Sequence, residues 1–401
     1  MTEIVDILEP QEGPQPAPQR DLLQVVRSVA SQLVVPVLSV VTALAVGAVI
    51  IILSDPDFLS KIGTDPGAAF GAGFGSVGAA YGGLLFGALG SWDGITESLL
   101  SATPLILAGL AVALGFRAGL FNIGAEGQIY IGALFATWVG ISFPDLPVYV
   151  HLPMAVLAGA LGGALWAFIP GILKARTGAH EVITTIMLNY VAYRIVDFML
   201  RQPLLQQPGR SDPISRPILP SATLAPIVEG FRVHWGLAIA LVAAVVVSWL
   251  LFRSTKGFEF RAVGLNPAAA RYAGISISAT IVVTMMISGA LAGLAGASEI
   301  LGSNGLLSPG FSPGWGFDAI ALALLGGSRP IGVVGAALLF GALRAGATPM
   351  QAATGIPIDL VVVIQALVIM FIAAPALVRG IFRIRAGKEG GPAVSIKGWG
   401  A

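Results

Sequence analysis

The 401-residue chain contains no cysteine. That single absence removes disulfides, thiolate catalysis and cysteine-based metal sites. Histidine is scarce as well, with three in the whole chain, and the His180-Glu181 pair has Thr184 where the second histidine of a zinc-protease helix belongs. Spacing marks neither a metal site nor a Ser/His/Asp set. Only 11% of residues carry charge and the net charge is +1, so the basic surface that nucleic-acid binding needs is missing. No Gly-x-x-x-x-Gly-Lys-Ser/Thr run occurs, so any ATP this protein uses is hydrolysed by another chain. The run from Gly71 to Ser76 is rich in glycine, but it reads as a Gly/Ala-rich outer loop and not as a nucleotide-binding turn between a strand and a helix.

What the chain has in abundance is hydrocarbon: 56% of residues are hydrophobic and the mean hydropathy is +0.86, far outside the range of soluble domains. A spanning helix needs about 20 mostly apolar residues. Windows free of Asp, Glu, Lys and Arg cover 28–54, 98–116, 127–144, 146–173, 233–252, 272–298 and 360–378. The expected class is therefore an all-α polytopic membrane protein with roughly eight to ten crossings. Segments 319–327 and 331–343 are each too short for a full span and read as two half-helices or short tilted spans around Gly326-Gly327-Ser328-Arg329-Pro330. The expected division is a disordered N-terminal tail (1–27) with Pro10, Pro14, Pro16 and Pro18, a membrane domain (28–380), and a basic tail (381–401). Most of the 22 lysines and arginines fall on one side if both tails are cytoplasmic, which also requires an even number of crossings. That assignment leaves Arg344 on the outside and Arg194 within a span.

Three features interrupt the hydrocarbon. The segment 117–128 places Glu126, Asn122, Gln128 and three glycines between two apolar runs, where non-helical backbone is tolerated only against protein or a water-filled cavity. A second Gly-interrupted stretch, 302–316, faintly echoes it, and such pairs mark substrate sites at repeat interfaces. Next, Glu181, Thr185, Asn189, Tyr193 and Asp197 recur every fourth residue and make a slowly winding polar row that either lines a pore or glues helices together; Arg194 is spaced to pair with Asp197. Last, the long internal loop 253–275 carries Asn266 as N-cap, Pro267 at the first helical position and Gly274 as terminator, coding for a helix of about two turns. A helix so short is marginal in water alone, so it reads as a docking element, with Arg271 and Tyr272 as anchors, or as a loop helix in solvent or on lipid. Glycines 159, 162, 163, 289, 293 and 296 read as close helix packing.

Residues 117–132 (RAGLFNIGAEGQIYIG), 178–190 (GAHEVITTIMLNY), the 266–274 helix and 320–346 (IALALLGGSRPIGVVGAALLFGALRAG) resemble the permease subunits of ABC importers in the branched-chain amino acid and simple-sugar permease superfamily. The first two motifs are similar to its nucleoside-uptake branch. The resemblance implies a subunit of the bacterial inner membrane with no catalysis or cofactor of its own. ATP and Mg would be bound by a cytoplasmic ATPase subunit, and a second related permease and an outside substrate-binding lipoprotein would complete the importer. It also implies that Gly264, Asn266, Arg271, Tyr272 and Gly274 lie at the coupling position, and that Asn122, Glu126, Gln128, Thr185 and Asn189 lie near the substrate path. The competing reading is an ion-coupled secondary transporter for small polar solutes, which needs a titrating acid in the membrane, Glu126 or Asp197. A membrane enzyme lacks a catalytic set.

Overall fold

A computed structural model describes residues 22–383 and is all-helical; among these residues the only β pairing is two isolated bridges. In chain order the helices are α1 (Leu22–Ser54), α2 (Pro56–Lys61), α3 (Pro66–Leu89), α4 (Trp92–Arg117), α5 (Ala125–Ser142), α6 (Val148–Thr177), α7 (Glu181–Met199), α8 (Gly236–Arg253), α9 (Thr255–Leu265), α10 (Pro267–Tyr272), α11 (Ile277–Ser298), α12 (Trp315–Leu325), α13 (Pro330–Thr354), α14 (Asp359–Ala373) and α15 (Pro375–Ile381). Eight of them are long and apolar enough to cross a membrane. A helix apolar on every side belongs in the interior, and α4, with 83% of its span window buried, is the central one.

Chain contacts fix which ends share a face. Arg117 at the end of α4 donates to the carbonyls of Ser328 (2.8 Å) and Gly327 (3.0 Å) just after α12, and stacks over Phe252 at the end of α8. These ends define one face. Glu97 near the start of α4 pairs with Arg232 before α8 at 3.3 Å, defining the other.

Helix α3 ends beside the start of α4, on the Glu97 face. Its first half meets the end of α1, where the Ser76 hydroxyl donates to Asp55, and the Ser98 hydroxyl of α4 reaches back to the Ala88 carbonyl near its end. Between those points Ala80 and Leu84 share an apolar cluster with Ile51, Met350 and Leu360. The expected outer loop at Gly71–Ser76 is corrected to helix. Asp65 starts it by accepting from the Ala68 N–H, with Pro66 at the first helical position.

Other expectations shift. The 319–327 segment is a short helix, α12, but 331–343 lies within a full 25-residue helix, α13. Arg344 is therefore inside that helix, ion-paired with Asp318 of α12, and not on an outer surface. The pair was invisible in the sequence because its partners, 26 residues apart, sit on different helices. Helix α1 starts at Leu22, inside the stretch assigned to the tail, while 1–21 and 384–401 lie outside the described residues.

Candidate functional site

Two helices start in mid-molecule and meet head to head. The turn after α4 uses Gly119 at φ +71, and Leu120 N–H returns to the Gly115 carbonyl, so the chain folds back along α4 before α5 begins. On the other side, the segment after α11 returns inward and starts α12 at Trp315. Gly316, the second residue of α12, donates its N–H to the Glu126 carboxylate at 2.6 Å. A Cβ on Gly316 would lie 2.2 Å from the Glu126 nitrogen, so only glycine permits this approach. Ser312 hydrogen-bonds the same carboxylate and accepts from Gly314 (3.3 Å) and Trp315 (3.4 Å). The carboxylate sits in the first turns of two helices and accepts one of their free N–H groups, that of Gly316, with both positive dipole ends beside it. The two Gly-interrupted stretches thus come together at Glu126.

The amides complete the break. Asn122 donates to Gln128 (3.0 Å) and to Ser288 (2.9 Å) and accepts from the Gly124 N–H (2.9 Å), while Gln128 donates back to it at 3.1 Å. Ser288 in turn donates to the Ala111 carbonyl of α4 at 2.7 Å. Asn189 caps α5 from α7, accepting from the Gly127 N–H at 2.8 Å and donating to the Ile123 carbonyl at 3.0 Å. Thr185 is buried one turn away and hydrogen-bonds within its own helix, to Val182 at 3.2 Å. Asn122, Glu126, Gln128, Thr185 and Asn189 are all buried within this chain. Of these, Asn122, Glu126 and Asn189 satisfy backbone groups that a break at this depth would leave bare, the requirement set by hydrocarbon. Further along the row, Glu181 pairs with Lys174 of α6 at 2.5 Å, tying α7 to its predecessor. Arg194 and Asp197 pair at 3.5 Å, as their spacing suggests.

The loop 253–275 holds two helices, of which α9 was not anticipated. Ser254 caps α9 by accepting from Gly257, and Asn266 caps α10 by accepting from Ala269, each at 3.0 Å. Gly264 lies against the Gly119 turn: a Cβ there would be 2.4 Å from the Arg117 carbonyl oxygen. Helix α10 follows with Tyr272 95% exposed, and Gly274 ends it at φ +81. Asn266 and Arg271 are exposed too. A surface helix thus stands one rigid contact away from the α4 end and the break. No cluster of metal-binding side chains occurs among the described residues.

The family described as "Branched-chain amino acid transport system / permease component" matches residues 94–373. The guanosine ABC transporter permease NupP of Bacillus subtilis is 43% identical over 351 residues, which is 87% of this chain and 95% of that one. A glucose ABC transporter permease of Haloferax volcanii is 41% identical over 348 residues, 84% of this chain and 86% of its own. A second guanosine permease of the same Bacillus, NupQ, is 29% identical over 256 residues, 62% and 79% of the two chains. No solved structure matches. The chain belongs to this family of ABC importer permeases. It is a multi-pass, non-catalytic membrane subunit that works with an ATPase and a binding protein, and ATP is bound by the ATPase. The ion-coupled alternative falls with that assignment.

Proposed function

We propose that this permease moves nucleosides across a bacterial inner membrane, driven by an ATPase on the Arg117 face. The observation that carries the substrate class is 43% identity to a guanosine permease along 95% of its length. Glucose is the second reading, favoured by the 41% identical Haloferax relative. The Arg117 face is cytoplasmic in this proposal, both termini lie on that side, the 253–275 segment is the coupling loop within the membrane domain, and 381–401 is a cytoplasmic tail. Gly264, Asn266, Arg271, Tyr272 and Gly274 form the element that the ATPase grips. Its thrust reaches the α4 end through Gly264, and from there the break at Glu126. Asn122, Glu126, Gln128, Thr185 and Asn189 border the substrate path, and Asn122, Glu126 and Asn189 hold the two helix starts beside it. The second permease is a related but unlike chain, since the Bacillus relatives include two guanosine permeases that stand at 43% and 29% identity to this one. The binding protein is a lipoprotein on the Glu97 face.

The test is transport by the reconstituted importer. ATP-dependent accumulation of labelled guanosine, absent from vesicles holding this chain alone, is expected. Glucose accumulation without guanosine would overturn the substrate assignment.

A further inference from the structure

Beside the break runs a ladder of aromatic rings that hydrocarbon packing does not require. Tyr190 and Tyr193 of α7 meet edge to face with centroids 6.0 Å apart, and Tyr193 meets Tyr130 of α5 at 4.6 Å. Tyr130 then meets Phe311 at 4.7 Å, and Phe311 meets Trp315 of α12 at 6.3 Å. The ladder runs from surface to core: Tyr190 is 62% exposed, Tyr193 and Phe311 are half-buried, and Tyr130 and Trp315 are buried. Its inner end is the α12 start that Glu126 holds.

The open end lies beside a charged pair as well as exposed apolar side chains such as Met187 and Phe198. Arg194 lies five residues before the end of α7, about 8 Å inside it, and its side chain is 86% exposed while paired with Asp197. A charged pair displayed at that depth marks a surface facing water or protein, because hydrocarbon strongly disfavours it. Tyr190 shares this side of α7, four residues from Arg194. An exposed tyrosine ring backed by four other aromatic rings, beside a carboxylate and a guanidinium, is the chemistry of a heteroaromatic site. Flat rings stack on it whatever their edge pattern, and stacking of this kind is tolerant of base identity. A sugar without a ring π-face gains far less.

We propose that Tyr190 and Tyr193, backed by Tyr130 and Phe311, form a stacking station for the base of a permeant nucleoside, with Arg194 and Asp197 taking its hydroxyl and base-edge hydrogen bonds. This rests on the nucleoside reading above. The station holds its guest weakly, as a path must, and leads from the exposed side of α7 toward the break.

The test uses the complete importer in vesicles, with Tyr190→Ala, Tyr190→Phe and the corresponding Tyr193 variants, and the amount of assembled complex as fold control. At sub-saturating guanosine, each alanine variant should lose at least about 5-fold in ATP-dependent uptake, while each phenylalanine variant stays near wild type. Because Tyr190 is mostly exposed, its alanine variant assembles even if that of Tyr193 does not. Wild-type uptake by Tyr190→Ala, or phenylalanine variants as impaired as alanine ones, would overturn the station and leave the nucleoside assignment standing. A wild-type importer that carries glucose and no nucleoside would overturn both.

Discussion

Replacing Asn189 by leucine tests whether the break between α4 and α5 depends on a side chain from α7. Leucine has the same number and branching of side-chain heavy atoms as asparagine, so it approximates the shape while both hydrogen bonds vanish. The Gly127 N–H and the Ile123 carbonyl then lose their partners in a site closed to water. Each unsatisfied backbone group costs about 1–3 kcal/mol, so the pair costs about 2–6 kcal/mol. Thr185→Val is the matched control, buried on the same side of the same helix, whose hydroxyl bonds only to its own helix. The Val182 carbonyl keeps its helical partner, so this change should cost under about 1 kcal/mol. Unfolding of the purified chain by a denaturing detergent reads both variants, with guanosine uptake as the functional readout. Equal destabilisation by the two substitutions would refute the capping argument, since burial alone would then explain both.

Gly159 and Gly163 of α6 lie against Gly293 and Gly289 of α11, and a Cβ on Gly293 would come within 2.2 Å of the Gly159 carbonyl oxygen. Gly293→Val should therefore separate the helices and destabilise the protein by at least about 1–3 kcal/mol, the range for overpacking, whereas Gly335→Ala, which meets open space, should unfold like wild type in the same titration. Tyr272→Glu on the exposed coupling helix should leave the chain inserted and folded but reduce copurification of the ATPase; recovery at the wild-type level would remove Tyr272 from the docking surface. On the Glu97 face, burial and the nearby Arg232 push His234 down to about 4, and its Nδ1 accepts from the Gly236 N–H at 3.1 Å. The unfolded chain takes up this proton below about pH 6.5 and the folded chain only below about 4. Stability is therefore complete above that window and lost as pH falls through it, by up to about 3 kcal/mol. A His234→Gln variant should show a flatter profile between those limits.

The outline of the fold was legible because hydrocarbon imposes length and composition on any span: the uncharged windows at 98–116 and 146–173 became α4 and α6. The capped helix at Asn266 was legible for a local reason, since N-cap, proline and terminating glycine act within a few residues of one another. Helix α3 was misread because its glycines and alanines promise flexibility in isolation. Its helicity comes from packing on α1 and α13, which sequence periodicity does not report. The full length of α13 was hidden likewise by Arg344, a charge that looked like a terminus until Asp318 supplied its counter-ion.

Within the site, residue type alone marked Asn122, Glu126 and Asn189, because amides and acids at membrane depth need a reason. What they do was decided by tertiary structure. Glu126 is held by Gly316, and Asn189 reaches across from another helix to a backbone N–H. The aromatic ladder was not anticipated, since Tyr130, Tyr190 and Phe311 are unremarkable in an apolar chain until folding lines them up. The sequence by itself determined that this chain lives in lipid and breaks its helices near residue 122, because solvation of charge and backbone is a local matter of composition. Only the tertiary structure decided which broken ends meet, since hydrogen-bond partners 190 residues apart in the chain are chosen by the packing of whole helices.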